Sequence, residues 1–126
     1  MTKALLVVDD VSELREELAL CLEDEGYRVF QAENGVEALK VMEQQDDVGV
    51  VITDILMPKM DGMELCAEIR KNRPGVKIVA ISGGGKVSEE NHNLVGSYLR
   101  KAQREGADVI LEKPFALDDL LKVLDP

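Results

Sequence analysis

Short apolar runs alternate with amphipathic stretches along the whole chain. Ala4 to Val8 is uninterruptedly apolar and reads as a buried strand. Val11, Leu14, Leu18, Cys21 and Leu22 then recur at helical spacing with charged residues between them, and Gly26 ends that helix. Tyr27 to Phe30 predicts a short second strand, and Asn34 is placed to cap a helix carrying Val36, Leu39 and Met42 on one side. Val48 and Val50 to Thr53 form a third strand. Met63, Cys66, Ala67 and Arg70 follow on a helix closed by Pro74. Val76 to Ile81 is the fourth strand, Asp108 to Leu111 the fifth, and Leu117 to Leu124 a last short helix.

Strands and helices in strict alternation imply an α/β fold whose parallel sheet is covered on both faces. The near-continuous apolar character of the first, third and fourth strands fits that burial. The expected architecture is a doubly wound, five-stranded parallel sheet with helices on both faces. Ligands in such sheets bind outside the carboxyl ends of the strands. At 126 residues the chain suffices for one compact domain, so residues 1–126 read as a single unit without internal repeats or low-complexity linkers.

Composition narrows the function. With 45% hydrophobic and 32% charged residues the chain falls in the ordinary globular range, so wholesale disorder is not expected. Aromatic residues make up 3% and tryptophan is absent, leaving the core to Val, Leu, Ile, Ala and Met. A formal charge of −10 repels polyanions, and no run of Lys and Arg offsets it, so direct nucleic-acid binding is not expected. The opening apolar run ends after five residues in two aspartates, which is no export signal, and nothing reaches the length of a membrane span. Cys21 and Cys66 both fall in helical patterns and read as buried thiols of a reducing compartment. A cytoplasmic protein with no membrane partner is the expectation.

The rule on strand ends turns the pattern into chemistry. Asp9 and Asp10 lie just past the first strand, Asp54 just past the third, Ser82 just past the fourth and Lys113 just past the fifth. Each has an ordinary reading by itself: the aspartates as caps or turn formers, Ser82 as a loop residue before three glycines, Lys113 as a surface lysine before Pro114. Their joint placement on one edge of the sheet makes coincidence a poor explanation. Three crowded carboxylates repel each other and need a cation to remain ionised together. A hard divalent ion suits oxygen ligands, and Mg2+ in particular takes few protein ligands and keeps several waters. With an ammonium and a hydroxyl nearby, the set is suited to stabilising a transferring phosphoryl group.

The stretches Leu5-Leu6-Val7-Val8-Asp9-Asp10, Asp54-Ile55-Leu56-Met57-Pro58 followed by Asp61-Gly62, and Lys113-Pro114-Phe115 together resemble the receiver domains of response regulators in two-component signalling. The resemblance runs over essentially the whole chain. It implies a flavodoxin-like sheet with strand order 2-1-3-4-5. It also implies that Asp54 is phosphorylated by a histidine kinase or a histidine phosphotransfer protein. Asp10 and Asp54 would ligate Mg2+ directly, Asp9 often through water, and the backbone carbonyl of Leu56 would complete the protein ligands. Ser82 matches the hydroxyl that reaches for the phosphoryl group and Lys113 the lysine that pairs with it, aimed inward by a cis bond to Pro114.

Three departures from that family bear on signalling. Ile110 occupies a position that often holds Tyr or Phe, so the aromatic half of the usual switch is in question. Either Ile110 simply packs in the sheet, or the signal is read out by loop movement alone. Lys113 follows Ser82 by 31 residues, longer than most members by roughly two helical turns. The excess falls between Gly83 and Tyr98 and begins with Gly83-Gly84-Gly85, a loop free to move beside the site. Gly85-Lys86 is not a phosphate loop, because Val87 stands where Ser or Thr is needed and Ala80 where the first Gly is needed. His92, the only histidine, has no Cys or His companions and reads as a loop residue. Finally, Leu56 and Gly84 cannot orient a hydrolytic water through their side chains, which predicts a comparatively long-lived phosphoaspartate.

The leading expectation is a phosphorylation-dependent signalling module, not an enzyme acting on a separate substrate. Its donor would touch the first helix near Leu14 and Glu17, and its output would be a face around the helix before the fifth strand, engaging an output protein or effector domain. Met1 points to a native N-terminus, and the chain stops at Pro126 without an effector domain. A stand-alone regulator and a receiver cut from a larger regulator or hybrid kinase both fit. A phosphohydrolase with an aspartyl-phosphate intermediate would place an acid where Leu56 stands. A degenerate receiver that only binds partners is at odds with the intact site.

Overall fold

The computed structural model describes residues 4–55, 62–83, 104, 106–113 and 115–124, with backbone alone at 62, 63, 82, 83 and 113. Its elements are β1 (Ala4–Val8), α1 (Ser12–Asp24), β2 (Val29–Ala32), α2 (Gly35–Gln44), β3 (Val48–Asp54), α3 (Gly62–Asn72), β4 (Lys77–Gly83), β5 (Val109–Lys113) and a C-terminal helix (Leu117–Leu124). The five strands form one parallel sheet in the order β2-β1-β3-β4-β5. This is the expected doubly wound architecture.

Side-chain alternation along the strands separates two cores. Leu6, Val8, Val51, Ile78 and Ala80 pack with Ala38 and Met42 of α2 and with Leu65, Cys66 and Ile69 of α3. Leu5, Val7, Val50, Ile52, Val79 and Ile81 pack on the other face with Leu22 of α1 and Leu120 of the C-terminal helix. β1 and β3 are buried along their whole lengths, as strands covered on both faces must be.

Local chemistry sets the element ends. The Asn34 side chain accepts from the Glu37 N–H at 2.9 Å and caps α2, as its sequence position predicted. Gly26 leaves α1 with φ +97°, in the left-handed region that glycine enters without steric cost. Tyr27, expected to open the second strand, instead returns its N–H to the Leu22 carbonyl at 3.2 Å, so β2 begins at Val29. α3 ends at Asn72, two residues before Pro74. β4 runs past the expected Ile81 to Gly83, because its ladder with β5 continues through Ser82↔Glu112 and Gly83↔Lys113. Ser82 and Lys113 therefore belong to their strands and do not follow them.

One irregularity decides where the site lies. Ala4 pairs with Val48 but Leu5 pairs with Val50, so Gly49 is an extra residue in β3. From there the register runs to Val8↔Thr53, which sets Asp9 beside Asp54. Without the bulge, Asp9 would fall beside Thr53, and every later side chain of β3 would face the wrong core. Among the described residues, no helix is long and apolar enough to cross a membrane.

Candidate functional site

β1 has β2 on one side and β3 on the other, so the chain leaves β1 in one direction and later returns on the opposite side. The crevice at this reversal, past the carboxyl ends of β1 and β3, is where doubly wound sheets hold their ligands. Asp9, Asp10 and Asp54 meet there. One carboxylate oxygen from each lies within 4.8 Å of the others. Asp9 and Asp54 are almost fully buried, at 4% and 1% exposure, while Asp10 is half-buried.

Several hydrogen bonds hold the described backbone around this cluster. The Asp9 N–H donates to the Ala32 carbonyl at 3.1 Å, carrying the β1–β2 ladder one residue past the strand. The Asp9 carboxylate accepts from the Val11 N–H at 2.9 Å, a turn that launches α1, whose Val11 N-cap has no side-chain bond of its own. The Ile55 N–H donates to the Ile81 carbonyl at 3.1 Å and holds the residue after Asp54 to β4. Two contributors had not been singled out in the sequence. Thr53, fully buried, donates its hydroxyl to the Asp54 carbonyl at 2.9 Å. Arg15 donates to the Asp9 carbonyl at 2.8 Å and to the Gln31 side chain at 3.2 Å. A threonine closing an aliphatic strand, and a basic residue one turn into the helix that follows paired aspartates, were the available signals.

Three buried or half-buried carboxylates with converging oxygens are a donor set for a hard cation, so the acidic pocket could hold a metal ion. For Ser82 and Lys113 the structure gives backbone position alone: Ser82 lies one residue along β4 from Ile81, the partner of Asp54, and Lys113 pairs with Gly83. Leu56, Gly84, Gly85, His92 and Pro114 lie outside the described residues. Ile110 pairs with Ala80 and is partly buried against the core under α2 and α3, so it packs in the sheet. Both cysteines are free: Cys66 is buried as expected, whereas Cys21 is only half-buried.

Fold and pocket define a doubly wound domain with an acidic ligand site at its switch point. The family model for the response regulator receiver domain matches residues 5–125. The response regulator MprA of Mycobacterium ulcerans is 36% identical over 121 residues, which is 96% of this chain and 48% of that protein. A receiver domain protein from Clostridium thermocellum superposes with a TM-score of 0.83 at 31% identity, over 98% of this chain and 91% of the other. A response regulator from Burkholderia pseudomallei, whose structure has a phosphorylated aspartic acid and a calcium ion, gives 0.81 at 29% identity, over 98% and 66%. The chain belongs to the response regulator receiver family of two-component signalling, whose general function is to accept a phosphoryl group. It spans about half the length of the MprA relatives it matches.

Proposed function

We propose that Asp54 accepts a phosphoryl group from a phosphohistidine donor, a histidine kinase or a histidine phosphotransfer protein, in a Mg2+-dependent reaction. The observation that carries this reading is the convergence of the Asp9, Asp10 and Asp54 carboxylates within 4.8 Å at the switch point. In the transfer an Asp54 carboxylate oxygen attacks phosphorus, the P–N bond to the donor imidazole breaks, and the imidazole leaves with that electron pair and takes up a proton. The metal, when bound, would neutralise negative charge on the carboxylates and on the phosphoryl oxygens. Asp10, Asp54 and the Leu56 backbone carbonyl would hold it directly, and Asp9 would help through a bound water. Lys113 and the Ser82 hydroxyl stabilise the transferred group. The phosphorylated aspartic acid in the structure of the Burkholderia relative supports reading Asp54 as a phosphoryl acceptor.

The donor docks over the active edge, touching α1 near Leu14 and Glu17. A cavity of about 360 Å3 opens beside the site, lined by Asp9, Leu14, Glu17, Leu18, Cys21 and Phe115 among others. Leu14 is 48% exposed, an apolar contact on the cavity that Asp9 also lines. Residues 1–126 act as one cytoplasmic receiver module that catalyses only its own phosphorylation and slow dephosphorylation. Phosphorylation changes a protein-interaction face read by an output protein or effector domain. With Ile110 in place of the aromatic, the change leaves the site by loop and helix movement. The test is Asp54→Asn: incubation with a phosphohistidine donor and Mg2+ labels the parent protein with acid-labile phosphate and leaves the variant unlabelled. Label retained on the folded variant would overturn the assignment.

A further inference from the structure

We propose that Arg15 is a positioning residue for the acidic pocket, locking the peptide that joins Asp9 to Asp10 so that both carboxylates face Asp54. The proposal rests on the reading of that pocket as a Mg2+ site.

The Asp9 carbonyl is one half of the Asp9–Asp10 peptide plane, so a bond that holds this oxygen fixes two torsions at once: ψ of Asp9 and φ of Asp10. Those torsions decide where the two side chains leave the backbone. The Arg15 guanidinium grips that oxygen at 2.8 Å from a part-buried position. Its Nε reaches the Gln31 side chain on β2 at 3.2 Å. Arg15 is itself anchored at the start of α1, where its N–H donates to the Val11 carbonyl at 3.0 Å. The loop between β1 and α1 is thus held to β2 and to the helix through one planar, multi-donor group, a role a lysine with its single point charge fills poorly.

Positioning and charge act in opposite directions here, which makes the proposal testable. A guanidinium near the pocket repels an incoming cation, so a purely electrostatic Arg15 would weaken Mg2+ binding and its removal would tighten it. A positioning Arg15 does the reverse, and partners of this kind are worth roughly tenfold or more in metal affinity.

The experiment compares the full chain with Arg15→Ala, Arg15→Lys and Gln31→Ala. Mg2+ is titrated by calorimetry, and backbone amide exchange is followed by NMR without metal. Arg15→Ala is expected to bind Mg2+ about tenfold more weakly. Arg15→Lys, which keeps the charge, should recover only part of that loss, and Gln31→Ala, which changes no charge, should lose about two- to threefold. Exchange at Asp10 and Val11 should quicken in Arg15→Ala while β3 stays protected. Unchanged or tighter Mg2+ binding in a folded Arg15→Ala, or full rescue by lysine, would overturn the proposal. If Arg15→Ala does not fold, the Arg15→Lys and Gln31→Ala affinities decide. If the parent protein binds no Mg2+, the metal-site reading fails, and the exchange rates at Asp10 and Val11 alone decide whether Arg15 positions the loop.

Discussion

Replacing Asp54 with asparagine should stabilise the metal-free protein. With carboxylate oxygens within 4.8 Å, each ionised pair repels by about 0.9 kcal/mol at the dielectric constant of water and about 3.5 kcal/mol at an effective value near 20. Asp54 takes part in two of the three pairs, so its neutralisation relieves between roughly 2 and 7 kcal/mol of repulsion. Asp10 is half-buried and screened by solvent, which favours the lower end, so the expected gain is about 2 kcal/mol, or several degrees in Tm. The assay is urea or thermal unfolding with a chelator present and again in saturating Mg2+. A ligand at a hundred times its Kd stabilises by about 2.7 kcal/mol. The parent protein should collect that gain and Asp54→Asn much less of it, so the order of stabilities narrows or reverses in Mg2+. A variant less stable than its parent in chelator, or an equal Mg2+ gain for both, would refute the reasoning.

Three further outcomes follow from particular residues. With Leu56 and Gly84 unable to orient a water, the phosphorylated protein should lose its acid-labile phosphate slowly once the donor is removed, and decay within seconds would contradict this. Arg73 donates to the carbonyls of Met42, Asp46 and Val48 at 2.8–3.2 Å, so Arg73→Ala should cost roughly 2 kcal/mol in urea unfolding. Arg73 sits by the first residue of β3 and Asp54 is the last, so phosphotransfer should be unaffected below the unfolding transition. Gly106, with φ +131°, would place a Cβ 3.2 Å from the Arg70 Cβ, whereas Gly26, at φ +97°, has open space. Both alanine variants are strained, by roughly 1–3 kcal/mol. Gly106→Ala should lose more than Gly26→Ala, and the reverse order of urea midpoints would show that the contact with Arg70 is easily relieved.

Most of the fold was legible in the chain because its signals are local. A parallel strand buried on both faces must be continuously apolar, and a surface helix must repeat its apolar positions at helical spacing; Ala4–Val8 and the α1 pattern show each in turn. The acidic cluster of Asp9, Asp10 and Asp54 was equally legible, since residues that end parallel strands share one edge. The errors lay where a neighbour sets the boundary. β4 continues to Gly83 only because β5 pairs with it, and Tyr27 leaves β2 because α1 takes its N–H.

What the sequence determined by itself, then, was the order of elements, the fold class and the identity of Asp9, Asp10 and Asp54 as candidate partners. Only the tertiary structure decided that their carboxylates meet. An apolar run looks the same whichever strand it pairs with and in whatever register, so the order that sets β3 beside β1 came from the family resemblance and not from the strands themselves, and the register from neither. Nor does the chain announce that Gly49 is the extra residue that moves Asp54, and not Thr53, level with Asp9. The Arg15 latch had the same cause. Its acceptors are a backbone carbonyl six residues back and a side chain on β2, brought within reach only when α1 packs down on the sheet.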